Sequence, residues 1–407
     1  MKLYDELVWR GLIKDSSTPE LEEKLNNGGM TFYIGTDPTA ESLHIGHYSS
    51  FSVAKRLKEG GHNPILLVGG ATGLIGDPKP NTERPLITKE ELERNYISLR
   101  KQVENVFGFT VVNNYDWSKD INFIDYLRDY GKYFPINYML AKDTVKSRLE
   151  IGITYTEFSY MIMQSLDFLW LAENMNCTMQ IGGADQWGNI TAGIELARKK
   201  AGLELYGFTM PLITTTDGSK FGKSEGNAIW IDKSMTSSYE MYQYFLNTED
   251  EMVVSYLKML SFLSVDEINE LELKHKENPQ LREAHKALAR DLIVFLHGEA
   301  EFNKAVRISE VLFSGDIKEL SLDEIMLGFK DVPSFELEKG SIMDILVNNN
   351  IASSKREARE FINNGSITLN GEKVTDENKI IDRDIAIDKK IVVIRRGKKH
   401  YHMGMFK

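Results

Sequence analysis

Cysteine is almost missing from this 407-residue chain, where Cys177 stands alone. One thiol cannot close an intramolecular disulfide or build a cysteine-based zinc site, and such usage fits a reducing compartment. Long apolar runs are also lacking: none approaches the roughly 20 residues that a membrane helix needs. The opening stretch MKLYDELVWRGL carries Asp5 and Glu6 and has no apolar signal core. A cytoplasmic protein with no membrane partner is therefore expected. Positive charge is scarce as well. The 49 Lys/Arg against 60 Asp/Glu leave −11, which excludes wholesale coating of nucleic acid. The deficit is uneven, because residues 341–407 hold 13 Lys/Arg against 9 Asp/Glu, a balance of +4 against −15 for 1–340. The tail, rather than the body, is the segment suited to a polyanion.

What is present is an ordinary globular composition, 42% apolar and 27% charged, at a length that allows two or three domains. Strand-like runs near 31–35, 64–70, 109–117, 178–183 and 208–214 alternate with helical periodicity over 46–59, 88–107, 121–130, 156–175 and 188–201. That alternation predicts an α/β fold with a doubly wound, Rossmann-like parallel sheet over 1–236. From 237 to 320 the β signal stops and amphipathic helices follow one another, predicting an α-helical domain. Residues 321–340 read as a linker. The last segment, 341–407, reads as a small α+β domain with two helices, short strands and a hairpin signal at Asn370-Gly371.

The most informative stretch is 31–47, TFYIGTDPTAESLHIGH. It reads as a strand broken at Asp37-Pro38, then a turn and a helix start, the arrangement in which open α/β sheets bind anions. Here the turn offers imidazoles, His44 and His47, where other nucleotide folds offer a lysine or bare backbone. On these residues alone the pair fits metal ligands or ordinary turn residues too, although no H-E-x-x-H or cysteine pair accompanies it. Over 156–175, Tyr160, Gln164 and Asp167 form one polar stripe on an otherwise apolar helix, fitting either a satisfied core network or a small polar ligand. QIGGADQWGN at 180–189 is a second strand-turn-helix in which Asp185 is able to accept from ribose hydroxyls. TDGSKFGKSEGN at 216–227 is a polar loop whose Lys220 and Lys223 suit a phosphate or merely solvent.

Taken together these motifs resemble one family. HIGH at 44–47 and KFGKS at 220–224 are similar to the two signature sequences of class I aminoacyl-tRNA synthetases. Tyr33, GGATGLIGDP at 69–78, the Tyr160 stripe and QIGGADQWGNITAG at 180–193 resemble bacterial tyrosyl-tRNA synthetases, over essentially the whole chain. Tyr33 with Asp167, and the tail domain, separate it from the related tryptophanyl enzymes. The resemblance implies a tyrosine–tRNA ligase. Its substrates would be L-tyrosine, ATP with Mg2+ and tRNA(Tyr), its products tyrosyl-tRNA, AMP and pyrophosphate, and its form a homodimer without protein-bound zinc or another metal ligand set. It also implies roles for individual residues. Thr39, His44, His47, Lys220, Lys223 and Ser224 would serve catalysis at the phosphates, while Gly35, Asp37, Gly46, Gly182, Asp185 and Lys223 would hold the nucleotide. Tyr33 and Asp167 would meet the substrate phenol, with Asp77, Tyr160, Gln164 and Gln186 around its ammonium and carboxyl groups. Residues 237–320 and the tail would bind tRNA, the tail through Lys355, Arg356, Arg359, Arg395, Arg396, Lys398 and Lys399. The loop after Asp77, PKPNTERP, departs from the lysine-rich loop of some relatives, which leaves phosphate roles for Lys79 and Arg84 weakly supported.

Overall fold

The computed structural model describes all residues except 79–86, 151, 217, 219, 220, 225, 226, 331, 398 and 399, and all their side chains except those of 143, 144, 223, 224 and 227. The chain divides into two compact units, Met1–Thr236 with Phe245–Leu296, and Ser237–Tyr244 with His297–Lys407. This division differs from the one expected from sequence. Helix follows helix from Ser238 as anticipated, yet the middle of that helical stretch belongs to the first unit and its start and end to the second. Periodicity marks a helix's apolar face but says nothing of which neighbour covers it.

The first unit is built on five parallel strands: β1 (Thr31–Thr36), β2 (Asn63–Val68), β3 (Thr110–Asn113), β4 (Cys177–Gly183) and β5 (Tyr206–Met210), in the spatial order β3-β2-β1-β4-β5. From β1 the chain winds outward to β3 and then returns to the other side of β1, so the winding reverses between β1 and β4. In an open parallel sheet that reversal leaves a crevice at the carboxyl ends of the strands. The crossover helices are Ile45–Glu59, Lys89–Val106, Tyr155–Met175 and Trp187–Ala201. Phe32, Tyr33 and Ile34 are all buried, as expected of a central strand covered on both faces.

Tyr155–Met175 is the most apolar of these helices. Thr154 caps it by accepting from the Glu157 N–H, and Asn176 ends it in the left-handed conformation at φ 52°. Glu157 is itself buried and meets Arg148 through two 3.0 Å bonds, so the charge is carried in a bidentate pair. Two local expectations fail. The strand expected over 109–117 stops at Asn113, and Tyr115–Ser118 is a helical turn that carries the buried Trp117. The helix expected over 121–130 is a short turn followed by a π-helical segment, Tyr126–Tyr130.

The second unit contains a five-stranded sheet of Glu372–Lys373, Ile367–Leu369, Ile391–Arg396, His400–Phe406 and Ser334–Leu337, in that order. The hairpin signal is realised: Leu369 pairs with Glu372 across Asn370 (φ 49°) and Gly371 (φ 89°), a two-residue turn with both φ values positive. The linker reading of 321–340 is corrected. Leu322–Gly328 is a helix closed by a Ser321/Glu324 capping box, and Ser334–Leu337 is a strand parallel to His400–Phe406. Ile308, Val311 and Ile325 share a core with Ile391, Val393 and Met403. Removing 341–407 should therefore uncover that core and strip Ser334–Leu337 of its partner strand. Loss of the thermal transition of this unit, with aggregation, is the expected result by calorimetry; an unchanged transition would show the tail to be a separable module.

Candidate active site

A cavity of about 320 Å³ opens at the carboxyl ends of β1 and β4. Tyr33, Gly35, Asp37 and Thr39 line it from β1 and its turn, and Gly46 and His47 from the following helix start. Tyr160, Gln164 and Asp167 reach it from the Tyr155–Met175 helix, while Gly182, Asp185 and Gln186 come from the end of β4. Asp77 completes the set. Residues far apart in sequence, from Tyr33 to Leu212, thus share one crevice, and the topology accounts for it.

At its inner end two polar side chains are withdrawn from water. The Tyr33 hydroxyl is buried without a hydrogen-bond partner, and its ring lies edge-on to Phe168 at 5.2 Å. Burial, and then the nearby Asp167, raise its pKa well above the ordinary phenol value. Asp167 is 2% exposed and pushed up to about 7, by burial first. Asn114 Nδ2 donates to one of its oxygens at 2.9 Å and Trp117 Nε1 to the other at 2.8 Å, and both bonds oppose that rise. Trp117 is held by stacking on Trp170 at 4.1 Å. Neither Asn114 nor Trp117 was singled out from sequence, because the strand expected there hid a helical turn. Gln180 was missed also. Its side-chain oxygen is buried and unpartnered, and the cavity lining includes it. Polar residues inside an apolar parallel strand were the available signal.

Toward the mouth the groups interlock. Gln186 Nε2 donates to Asp77 at 3.0 Å and Gln164 Nε2 to Gln186 Oε1 at 3.3 Å, while the Tyr160 hydroxyl lies 3.4 Å from Asp37. Asn189 donates to both Asp77 and Gln186, again unforeseen. Asp37, Asp77 and Asp185 make this region rich in carboxylate, the charge that suits an ammonium group.

The two histidines close the start of helix Ile45–Glu59 reciprocally. The His47 N–H donates to His44 Nδ1 and the His44 N–H to His47 Nδ1, both at 3.3 Å, and the rings stack at 3.8 Å. With Nδ1 accepting, a neutral ring carries its proton on Nε2, leaving Nε2 a donor. Burial, and next His44, drive the His47 pKa down to about 3, so that ring is neutral at physiological pH.

Of the second signature, Lys220 lies outside the described residues, and only the backbone of Lys223 and Ser224 is described, pairing with Ala228 and Asn227. Phe221 and Gly222 are firmly placed. Phe221 is buried against Tyr256 at 4.6 Å, and Gly222 O accepts from the Ile229 N–H at 2.9 Å. Gly222 has φ 89°, and a Cβ there would lie 2.6 Å from Ile45 and 2.9 Å from the Gly46 nitrogen, so no other residue fits. The two signature segments therefore touch through their glycines.

In the second unit, four of the basic residues expected to meet RNA have local partners. Lys355 pairs with Asp344 at 2.6 Å, Arg359 with Glu377 at 2.5 Å, and Arg396 donates to Ile351 O at 2.7 Å. Arg395 lies by Tyr401, and Arg356 is exposed. Lys398 and Lys399, like Lys79 and Arg84, lie outside the described residues.

A family model described as tRNA synthetases class I (W and Y) matches residues 25–314. The chain belongs to this family. A second model, the tyrosine–tRNA ligase SYY-like C-terminal domain, matches 324–404. A tyrosine–tRNA ligase of Staphylococcus carnosus (strain TM300) is 50% identical, over 100% of this chain and 99% of its own length. One from Staphylococcus haemolyticus (strain JCSC1435) is 49% identical over the same shares. Among solved structures, a C-terminally truncated mitochondrial tyrosyl-tRNA synthetase of Aspergillus nidulans is 32% identical. It superposes with a TM-score of 0.68, covering 77% of this chain and 94% of its own. A tryptophanyl-tRNA synthetase of Encephalitozoon cuniculi shares the fold at 12% identity and a TM-score of 0.56, covering 74% of this chain and 87% of its own.

In this family member the raised pKa of Asp167 has a consequence for stability. A carboxyl whose folded pKa lies above its unfolded value favours folding when protonated, and that contribution is lost as pH rises toward and past about 7. Asp167→Asn removes the ionisation, at a fixed cost from turning an amide toward Asn114 or Trp117. The stability difference between wild type and variant, measured by urea unfolding, should shift in favour of the variant between pH 5 and pH 8. A pH-independent difference would mean that Asp167 titrates normally.

Proposed function

We infer that the chain activates L-tyrosine with ATP and transfers it to tRNA(Tyr). The observation that carries this reading is the presence of the buried Tyr33 hydroxyl and the buried Asp167 carboxyl in the lining of one cavity, within a chain half identical to full-length tyrosine–tRNA ligases. A phenol entering there finds a donor and an acceptor. Phenylalanine would leave the Tyr33 hydroxyl unpaired in a dry site and give Asp167 no phenol donor beyond Asn114 and Trp117, and the cost of that is the basis of selection. Asp77, Gln164 and Tyr160 would receive the α-ammonium, and Gln186 would stand by the carboxyl end.

Activation is attack by a tyrosine carboxylate oxygen on the α-phosphorus of ATP. A new P–O bond forms, the bond to the bridging oxygen breaks, and pyrophosphate leaves with the electron pair. The nucleophile is already ionised, so no general base is required, and the catalytic work is positioning and charge stabilisation. His44 and the neutral His47 suit that work as Nε2–H donors, with Thr39, to phosphate and ribose oxygens. Gly35, Asp37, Gly46, Gly182 and Asp185 would cradle the nucleotide, and Lys220, Lys223 and Ser224 would close over its phosphates. Magnesium arrives with the ATP phosphates as part of the substrate. In the second step a terminal ribose hydroxyl of the tRNA attacks the adenylate carbonyl and AMP departs.

The tail, with Lys355, Arg356, Arg359, Arg395, Arg396, Lys398 and Lys399, and the helices of 237–320 would hold the tRNA. A homodimer is the proposed assembly. Phe123, Ile124, Ile136 and Tyr155 remain 61–67% exposed, an apolar stretch suited to a partner subunit. No helix among the described residues is long and apolar enough to cross a membrane, and the cytoplasm is the proposed location.

Pyrophosphate exchange should depend on tyrosine and respond weakly to phenylalanine or tryptophan; a preference for tryptophan would overturn the assignment. Tyr33→Phe should cut discrimination against phenylalanine roughly 2- to 12-fold, the worth of one neutral hydrogen bond. It should also leave thermal stability unchanged or higher, since it deletes an unpaired buried hydroxyl. For the tail, Arg356→Ala should weaken tRNA charging and flatten its salt dependence while exchange stays at the wild-type rate, as expected of a lost phosphate contact. Equal loss of both activities would assign Arg356 a structural role.

A further inference from the structure

Away from the cavity, three side chains that sequence spacing does not connect come together at one end of the helices of the first unit. Asp250 lies in the turn before helix Val253–Leu260, His275 in the last turn of Val265–Glu277, and His285 in the first turn of Glu283–His297. One ligand atom from each lies within 4.8 Å of one from each of the others. His285 Nε2 stands 3.3 Å from Asp250 Oδ1, and the two imidazole rings are 5.5 Å apart.

The hydrogen bonding of these rings is incomplete. His275 Nε2 meets the Asp250 carbonyl oxygen at 3.0 Å, and His285 Nε2 meets that of Thr248 at 3.0 Å. The Nδ1 atoms of both are buried and have no partner. His285 is 0% exposed, so its unmatched nitrogen carries the full desolvation penalty of an unpaired buried polar atom. An unmatched nitrogen on each of two neighbouring imidazoles is poor packing for a purely structural corner. Such nitrogens are normal for imidazoles that hold an ion. Asp250 is 53% exposed at its side chain, which gives the cluster an anionic edge and a path from solvent.

We propose that Asp250, His275 and His285 form a binding site for one divalent transition-metal ion. Two imidazoles and a carboxylate suit zinc, cobalt or nickel and not the all-oxygen preference of magnesium or calcium. Zinc-to-nitrogen bonds of about 2.0–2.1 Å put tetrahedral neighbours about 3.4 Å apart, close to the 3.3 Å between His285 Nε2 and Asp250 Oδ1. Arg282 limits the affinity, because its guanidinium lies 3.8 Å from Asp250 while donating to the Leu246 and Thr248 carbonyls. The site also adjoins the second signature. Glu249, next to Asp250, accepts from the Thr216 N–H at 3.4 Å, and Tyr256 donates to Thr214 O at 2.9 Å, both just before the Phe221-Gly222 anchor. An ion at Asp250 would stiffen the turn to which that loop is moored.

The test uses full-length protein stripped with chelator and titrated with Co2+ and Zn2+. One Co2+ per chain with visible d–d absorption is expected, together with a rise in the thermal midpoint on adding Zn2+. His275→Gln and Asp250→Asn, at half-buried and exposed positions, should weaken Co2+ binding roughly tenfold or more and abolish the thermal shift. Retained tyrosine-dependent pyrophosphate exchange shows that these variants are folded. Absence of saturable Co2+ binding, or variants that bind as wild type does, would overturn the proposal.

Discussion

The register between β1 and β4 is the constraint on which the cavity depends. Thr31 lies opposite Cys177, but Phe32 lies opposite Met179, so β4 carries one extra residue at that point. The irregularity brings Tyr33 opposite Gln180. Residues opposite one another on neighbouring strands share a face, and a slip of one would turn Gln180 away and bring an apolar methionine in its place. With this register two buried polar ends, the Tyr33 hydroxyl and the Gln180 amide oxygen, lie at the same switch point of the sheet. The rest of the cavity is arranged about them.

Burying so much polarity is costly, and the molecule offsets the cost unevenly. Asp167 receives two side-chain donors, Arg148 and Glu157 satisfy each other, and Asp77 sits among amides. Tyr33 and Gln180 receive nothing from the protein. That contrast separates groups that shape the site from groups left to bind within it. The helix start at His44 follows a similar economy. Each ring uses one nitrogen to close the helix and keeps the other as a donor, and the burial of His47 keeps its ring neutral. Gly46 and Gly222 join the two signature segments through a contact that admits no side chain.

The second unit obeys a different logic. Its sheet takes its edge strand, Ser334–Leu337, from a stretch that looks like connecting chain. Two of its basic residues, Lys355 and Arg359, are engaged by neighbouring carboxylates. Any anion reaching these two cations would have to compete with their carboxylates, and such an interaction is weakened by salt.

Much of this was legible in the residues themselves. The α/β alternation, the Asn370-Gly371 hairpin, the two signatures and the Tyr160/Gln164/Asp167 stripe follow from local periodicity and turn chemistry, which act over a few residues and are written in order. Tertiary structure alone decided the features that join distant segments. These are the β1–β4 register, the donors Asn114 and Trp117 behind Asp167, the recruitment of Ser334–Leu337 into a sheet, and the meeting of Asp250, His275 and His285. Each depends on which surfaces pack together. Packing is a sum over the whole chain, and no local pattern of sequence carries it.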